Sequence, residues 1–311
     1  MRVLVTGGAG FIGSHVAEAL LAASHEVLVV DDLSTGRREN VPQRAKLAQI
    51  DIRNAAAVAS AFAEFKPEVV THQAAQTSVS VSTREPVRDA EINVLGGLNV
   101  LGECVKHKVQ RLVFASTGGA IYGEVPDGKR ASVEWAPNPL SPYACSKFAF
   151  ENYLNAYARE HGQKSIVLRY ANVYGPRQDP HGEAGVVAIF AQRLLKGEAI
   201  QVNARKQTGD DGCVRDYVYV ADVVKANLLA IEGKLGLSPV NVCTGEATTT
   251  MELARMMERA SGAKAVLKHG PRREGDVERS VLDPGSPPPL GPATTLADGI
   301  AKTVAWFKER H

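Results

Sequence analysis

The chain has 311 residues, 44% hydrophobic and 23% charged, a soluble globular balance with room for about one to three domains. This excludes disorder, collagen and coiled coil as the main architecture. Lys plus Arg number 36 against 34 Asp plus Glu, a net charge of +2, which gives no electrostatic case for nucleic acid or an anionic membrane. Cys104, Cys145, Cys213 and Cys243 are far apart, with no CxxC pair and no His cluster at ligand spacing. That argues against a metal centre and against a disulfide framework. No apolar run is long enough to cross a bilayer, and the first residues lack the charged region of a signal peptide. A cytoplasmic, soluble enzyme is expected.

The first half of the chain alternates short β-branched runs with longer helical patterns. Strands are predicted at 2–6, 26–30, 46–50, 68–71, 111–115 and 165–169, and helices at about 11–23, 54–65, 84–106 and 141–160. Apolar strands separated by helices at this beat indicate an α/β fold with a parallel sheet covered on both faces. After about Tyr170 the rhythm loosens. Gly and Pro become frequent (Gly175-Pro176, Pro180, Gly182, Gly185), and helices are expected near 186–195, 221–232 and 251–261. The stretch 283–292 holds five prolines and two glycines and reads as a loop before a closing helix at 296–310. There is no internal repeat.

The first strand runs into Thr6-Gly-Gly-Ala-Gly-Phe-Ile-Gly13, and a helical pattern follows at once. Gly7, Gly10 and Gly13 allow a tight turn, a close approach of a pyrophosphate and close helix packing, and the helix N-terminus offers free N–H groups. This is the dinucleotide fingerprint of a doubly wound Rossmann domain. Asp31 closes the second strand, where a carboxylate accepts from the adenosine ribose hydroxyls and repels a 2′-phosphate, favouring NAD over NADP. Arg37 and Arg38 stand further on and read as solvated surface. Asp51 could accept from the adenine amino group or cap a helix, although Asn54 is the better N-cap residue.

Tyr143-Ala-Cys-Ser-Lys147 lies in a predicted helix, where i, i+4 spacing stacks the tyrosine and lysine on one face. A free phenol titrates at about pH 10, so only about 0.1% is ionised at neutral pH. Lowering that pKa to about 7 requires roughly 4 kcal/mol of preferential phenolate stabilisation. A nearby ammonium and a positive nicotinamide ring can supply it. A hydroxyl-bearing strand end, Ser116-Thr117, lies upstream.

With these motifs in place the sequence resembles the extended short-chain dehydrogenase/reductases, and among them the UDP-glucose (UDP-galactose) 4-epimerases. The likeness covers nearly the whole chain: TGGAGFIG at 6–13, DDLSTG at 31–36, DI at 51–52, HQAAQ at 72–76 and INVLGGLNVL at 92–101. It continues with YACSK at 143–147, LRYANVYGPR at 168–177, GCVRDYVYV at 212–220 and RREGDV at 272–277. The resemblance implies a Rossmann domain over 1–170 with about 214–243, and a smaller α/β nucleotide-sugar domain over 171–213 with 244–311. It implies Tyr143 as the base on the sugar 4-hydroxyl and Lys147 as the residue that binds the nicotinamide ribose and depresses the tyrosine pKa. The cofactor residues would be Gly7, Gly10, Phe11, Ile12, Gly13, Asp31, Asp32, Leu33, Ser34, Thr35, Gly36, Asp51 and Ile52. Gln73, Ala74, Ala75 and Gln76 would continue the diphosphate side, and Asn93, Ala115, Ser116 and Tyr170 the nicotinamide half. Arg215 and Arg273 would clamp the UDP diphosphate, a task for forked guanidinium donors. Asn172, Val186, Gln201, Asn203 and Asp276 would complete the UDP-sugar site. The alternative for Arg215-Asp216 is an ordinary surface ion pair.

One position departs from the family. Most relatives carry Ser or Thr four residues before Tyr122, where this chain has Gly118. Thr117 is expected to take over that hydroxyl's task, with Ser116 as the alternative. The same family also contains nucleotide-sugar 4,6-dehydratases and decarboxylases, which need carboxylates where Gly118 and Gly119 stand. A non-catalytic NAD sensor would have no use for the Tyr–Lys pair. In the epimerases the residue four positions after the Asp of RREGD lines the sugar's 2-position, and a tyrosine there excludes an N-acetyl group. Here it is Ser280, which implies turnover of UDP-glucose/galactose and of their N-acetylamino counterparts; the alternative is a turn-capping serine. The helices at 84–106 and 141–160 resemble those through which the family forms homodimers. His72 is expected to be a satisfied buried residue and His181 to be exposed.

Overall fold

The computed structural model describes residues 1–181, 185–236, 238–273, 276–286 and 289–310. Gly182, the middle of the RREGDV segment (274–275) and two prolines of the predicted 283–292 loop (287–288) lie outside the described residues. The first half of the chain alternates β1 (Arg2–Thr6), α1 (Phe11–Ala22), β2 (Glu26–Asp31), β3 (Lys46–Gln49), α2 (Ala55–Phe65) and β4 (Val69–His72). Then come α3 (Val79–Arg84), α4 (Pro86–Ala90), a π-helical turn (Glu91–Gly96), α5 (Gly97–Lys106), β5 (Arg111–Thr117), α6 (Gly118–Ile121), α7 (Pro142–His161) and β6 (Ser165–Tyr170). The remainder is β7 (Asn172–Tyr174), α8 (Val186–Leu195), β8 (Ile200–Asn203), β9 (Val214–Arg215), β10 (Tyr217–Tyr219), α9 (Val220–Ile231) and β11 (Val240–Val242). β12 (Thr248–Thr249), α10 (Thr250–Ser261), β13 (Leu267–Gly270), β14 (Arg279–Ser280) and α11 (Leu296–Lys308) end it.

Seven strands form one sheet in the order β11-β6-β5-β4-β1-β2-β3. The β1–β2, β1–β4, β2–β3 and β4–β5 pairs are parallel. Val3, Leu4 and Val5 are consecutive and all fully buried, as a strand covered on both faces requires. One face holds a core of Phe62 from α2, Leu101 from α5, Phe114 from β5, and Phe150 and Leu154 from α7. The Phe114 and Phe150 rings meet edge-on with centroids 4.7 Å apart, the geometry their quadrupoles favour. The strand order reverses between β1 and β4, so the doubly wound sheet has its ligand crevice at the carboxyl ends of those strands.

The chain divides into two compact units, residues 1–117, 141–169 and 223–240 against 118–140, 170–222 and 241–311. This places 118–140, Tyr170, 214–222 and 241–243 in the second unit, where the sequence suggested the first domain. Backbone bonds explain the first change: Val125 N–H donates to Arg279, Ala131 to Val281, and Asp283 back to Ala131, at 2.9–3.0 Å. The placement of 214–222 follows from β9, which pairs with β12 and β14. In the second unit α8, α10 and α11 pack on one another, beside the short parallel pairs β7–β10 and β8–β13. Among the described residues no helix is long and apolar enough to cross a membrane.

The predicted helix at 84–106 is broken. Pro86 starts α4 at its N-terminal turn, and Glu85 before it leaves the helical region at φ −129°, ψ 60°, as a residue preceding proline must. The π turn follows directly.

Candidate active site

The glycine fingerprint forms the turn between β1 and α1. Gly7 has φ +67°, and a Cβ there would lie 2.6 Å from the Ala74 nitrogen; a Cβ on Gly13 would strike the Gly7 carbonyl. Only glycine fits both. Gly10 caps α1 without a side chain, and the first turn carries no acidic residue, so the N–H groups of Phe11, Ile12 and Gly13 face outward without a competing anion. That turn is a ready phosphate seat, and the residues present fit a dinucleotide.

At the end of β1 the Thr6 hydroxyl bonds His72 Nδ1 at 2.7 Å and accepts from Ala74 N–H at 3.2 Å. Burial holds the His72 imidazole at a pKa of about 3, so it is a neutral structural group, as expected. Asp31 accepts from Ala9 N–H at 3.0 Å and Leu33 N–H at 2.9 Å, and burial raises its pKa. Two bonds leave a carboxylate with lone pairs for ribose hydroxyls. Leu33 adopts a positive φ of 61°, Ser34 folds onto Asp32 through N–H and hydroxyl, and Gly36 is close enough that a Cβ would meet Asp31 Oδ1 at 2.7 Å. Thr35 is exposed beside it. Arg37 pairs with Glu39 at 3.6 Å and Arg38 donates to Gln49 at 3.1 Å. Both arginines are surface residues.

Several expected contacts go elsewhere. Arg53 grips Asp51 from the side, Nη2 to Oδ2 at 2.6 Å, and holds its pKa down; Asn54 caps α2 through Ala57 N–H. Asn54 and not Asp51 is therefore the helix cap, and the Asp51 carboxylate stays partly exposed with Arg53 against it. Ile52 is in the core, which leaves only its backbone for a ligand. Gln73 Nε2 turns to Thr71 and Asn227 at 2.9 Å each, and Gln76 Nε2 to Ser78 and Asp89. Their carboxamides are thus used within the fold. Asn93 accepts from Gln76 N–H at 2.9 Å and donates toward the Gln76 carbonyl, Asp89 and Ser146.

Tyr143 and Lys147 project from α7, whose start is fixed by Ser141 capping Ala144 N–H and Pro142 in the first turn. Burial pushes the Tyr143 pKa up to about 12, against a downward pull from the Thr117 hydroxyl and with Asp89 adding to the rise. Lys147 donates to the Ala115 carbonyl at 2.9 Å and lies 4.8 Å from the Phe114 ring centroid. Burial lowers its pKa to about 8, against upward pulls from Asp89 and Glu151. Ser116 does not share this site. Its hydroxyl donates to Glu151 at 2.5 Å, and Glu151 in turn binds Arg169 at 2.6 Å in a buried ion pair. The hydroxyl left for chemistry is that of Thr117. Glu151 was missed in the sequence, although its spacing of four from Lys147 puts it on the same helical stripe.

The second unit assembles its own cluster. Asn203, its carboxamide oxygen turned toward Arg273, accepts from Nε at 2.7 Å and Nη2 at 3.2 Å, and Gln201 lies 2.6 Å from Asn203. Asp276 N–H reaches the Arg273 carbonyl at 3.4 Å. Arg215 donates to the Val214 and Glu278 carbonyls. Asp216 is turned inward, fully buried, accepting from Thr244 N–H and hydroxyl, Gly245 and Leu282. The surface Arg215–Asp216 ion pair is thereby excluded. Asn172 bonds the Asp216 carbonyl, Val186 opens α8, and Tyr170, buried, ends β6. Ser280 is 1% exposed and lies in β14, in register with Arg215, so it caps no turn.

These features define an NAD-dependent enzyme of the Rossmann class. The chain belongs to the NAD dependent epimerase/dehydratase family, whose model matches residues 3–243. It is similar to a UDP-glucose 4-epimerase of Mycolicibacterium smegmatis, 43% identical over 100% of this chain and 99% of the relative. Among solved structures it resembles the Thermus thermophilus UDP-glucose 4-epimerase in complex with NAD, at TM-score 0.95 and 55% identity over 99% of both chains. It also resembles the Thermotoga maritima UDP-glucose 4-epimerase with UDP-glucose, at TM-score 0.93 and 45% identity, covering 100% of this chain and 99% of that one.

Proposed function

We propose that the protein is a UDP-glucose 4-epimerase acting in the cytoplasm as a homodimer. The observation that carries this reading is the placement of Tyr143 and Lys147 one turn apart on α7, with the Lys147 ammonium anchored on the Ala115 carbonyl at 2.9 Å at the end of β5. When bound, NAD supplies a two-electron acceptor and donor, so that C4 of the sugar is oxidised and re-reduced with no net redox change. The α1 N-terminus would hold its diphosphate and Asp31 its adenosine ribose. Tyr143 takes the proton of the sugar 4-hydroxyl and returns it after the 4-keto sugar has turned about its phosphate linkage. Thr117 orients that oxygen. Lys147 lowers the phenol pKa from the high value that burial imposes, together with the charge of the oxidised nicotinamide ring. Arg215 and Arg273 neutralise the uridine diphosphate, with Asn172, Val186, Gln201, Asn203 and Asp276 holding the nucleotide.

The test is incubation with UDP-glucose and with UDP-N-acetylglucosamine, followed by separation of the C4 epimers. Galactose-configured product from the wild type and none from Tyr143→Phe is expected. A 4-keto-6-deoxy product, or no product from NAD-loaded protein, would overturn the reading.

A further inference from the structure

Asp89 is a buried carboxylate, 1% exposed on α4, and its two oxygens have unequal surroundings. Oδ1 accepts from Gln76 Nε2 at 2.8 Å and from Asn93 Nδ2 at 3.0 Å. Oδ2 is buried with no hydrogen-bond partner among the described residues. An acceptor buried without a partner is costly, and a carboxylate is retained in such a place when a nearby positive charge balances it.

The contacts around Asp89 lead to the paired tyrosine and lysine. Asn93 Nδ2 also faces Ser146 Oγ at 3.1 Å, and Ser146 donates to the Tyr143 carbonyl at 3.0 Å. Asn93 lies in the π turn, a local widening of the helix that recurs at functional sites. Both α4 and this turn pack on α7. Lys147 is 3% exposed. The other charges facing it are already matched or absent. Glu151, on α7 itself, is held by Arg169 from β6 and Ser116 from β5, and His72 from β4 is neutral. On α4, Arg88 is drawn to Glu85 at 3.0 Å at the surface. From β5, Thr117 offers Tyr143 a hydroxyl and no charge.

We propose that Asp89 is a positioning residue for the Tyr143–Lys147 pair: the fixed counter-charge that keeps Lys147 protonated, while Asn93 and Ser146 tie it to the turn of α7 that carries both. This rests on the reading of that pair as the proton-transfer centre. The carboxylate raises the pKa of Lys147 and also that of Tyr143. It therefore extends the ammonium to higher pH and delays the phenolate. Removing the charge shifts both titrations the same way, to lower pH.

The experiment compares Asp89→Asn with wild type as NAD-loaded enzymes. Oδ1 makes both of the carboxylate's bonds, so the amide oxygen can replace it. Both limbs of the kcat–pH profile are expected to move down by ~0.5 unit or more. A readout free of turnover is the ultraviolet absorbance of the phenolate, taken as the difference from the matching Tyr143→Phe protein; it should appear at lower pH in Asp89→Asn. Ser146→Ala, which keeps the charge, should lower kcat with both limbs in place. If Asp89→Asn does not fold, Asp89→Ser keeps a hydroxyl acceptor and carries the same expectation. A lower kcat with unmoved limbs and an unmoved phenolate titration would overturn the proposal. Retained epimerisation by Tyr143→Phe would instead overturn the reading of the pair.

Discussion

Thr117 and Ser116 are neighbours with nearly the same chemistry, yet only one is available for it. The Ser116 proton is committed to Glu151, which the Arg169 guanidinium fixes in place. The Thr117 hydroxyl pulls the Tyr143 pKa down. Thr117→Val preserves shape and removes that hydroxyl, so turnover of UDP-glucose should fall by roughly tenfold, the worth of about one hydrogen bond to a charged group. Steady-state kcat measures it, and turnover equal to wild type would transfer the role elsewhere. Ser280 poses a question of space. A Tyr at this buried site brings overpacking of about 1–3 kcal/mol, felt most by the substrate that needs the room. Ser280→Tyr should therefore reduce kcat/KM for UDP-N-acetylglucosamine relative to UDP-glucose by about tenfold. The ratio cancels any loss of folded protein. Equal losses on both substrates would remove Ser280 from the specificity question.

At the level of elements, what the sequence declares is what has a period or a punctuation mark. β1 is a run of buried aliphatics leading into glycines, and α7 announces itself with Ser141-Pro142 and runs until Gly162 takes a positive φ of 66°. Both were legible because local rules and tertiary packing agree. The break between 84 and 106 was also marked, by Pro86, but the apolar periodicity on either side outweighed it. The π turn has no local signature at all, since its cause is distant: Asn93 reaches back to both backbone groups of Gln76. β9, β12 and β14 have only two residues each, too few for any alternation, and they exist because the chain brings them together. The site follows the same logic. The glycines, Asp31, Tyr143 and Lys147 carry motifs; Asp89 and Glu151 draw their meaning from the charges they face.

For the whole molecule the open surface matters more than the core. Val87 is 70% exposed, Leu95 56% and Tyr153 42%, and they lie on α4, the π turn and α7, elements that pack together in the first unit. Large apolar side chains gathered on one set of helices favour burial against a partner. In the proposed homodimer a second copy would offer the same helices in return, so that a two-fold helix bundle would close the surface without leaving it open elsewhere. Light scattering on the eluting protein should give twice the 33.2 kDa of one chain. Leu95→Asp places a charge in that surface, where burial without a partner is costly, and should return the mass to that of a single chain. Because α4 carries both Val87 and Asp89, the monomeric variant should also lose turnover, with its NAD content measured alongside to separate the two effects. A wild-type protein that elutes as one 33.2 kDa chain at all concentrations would remove the dimer from the functional reading.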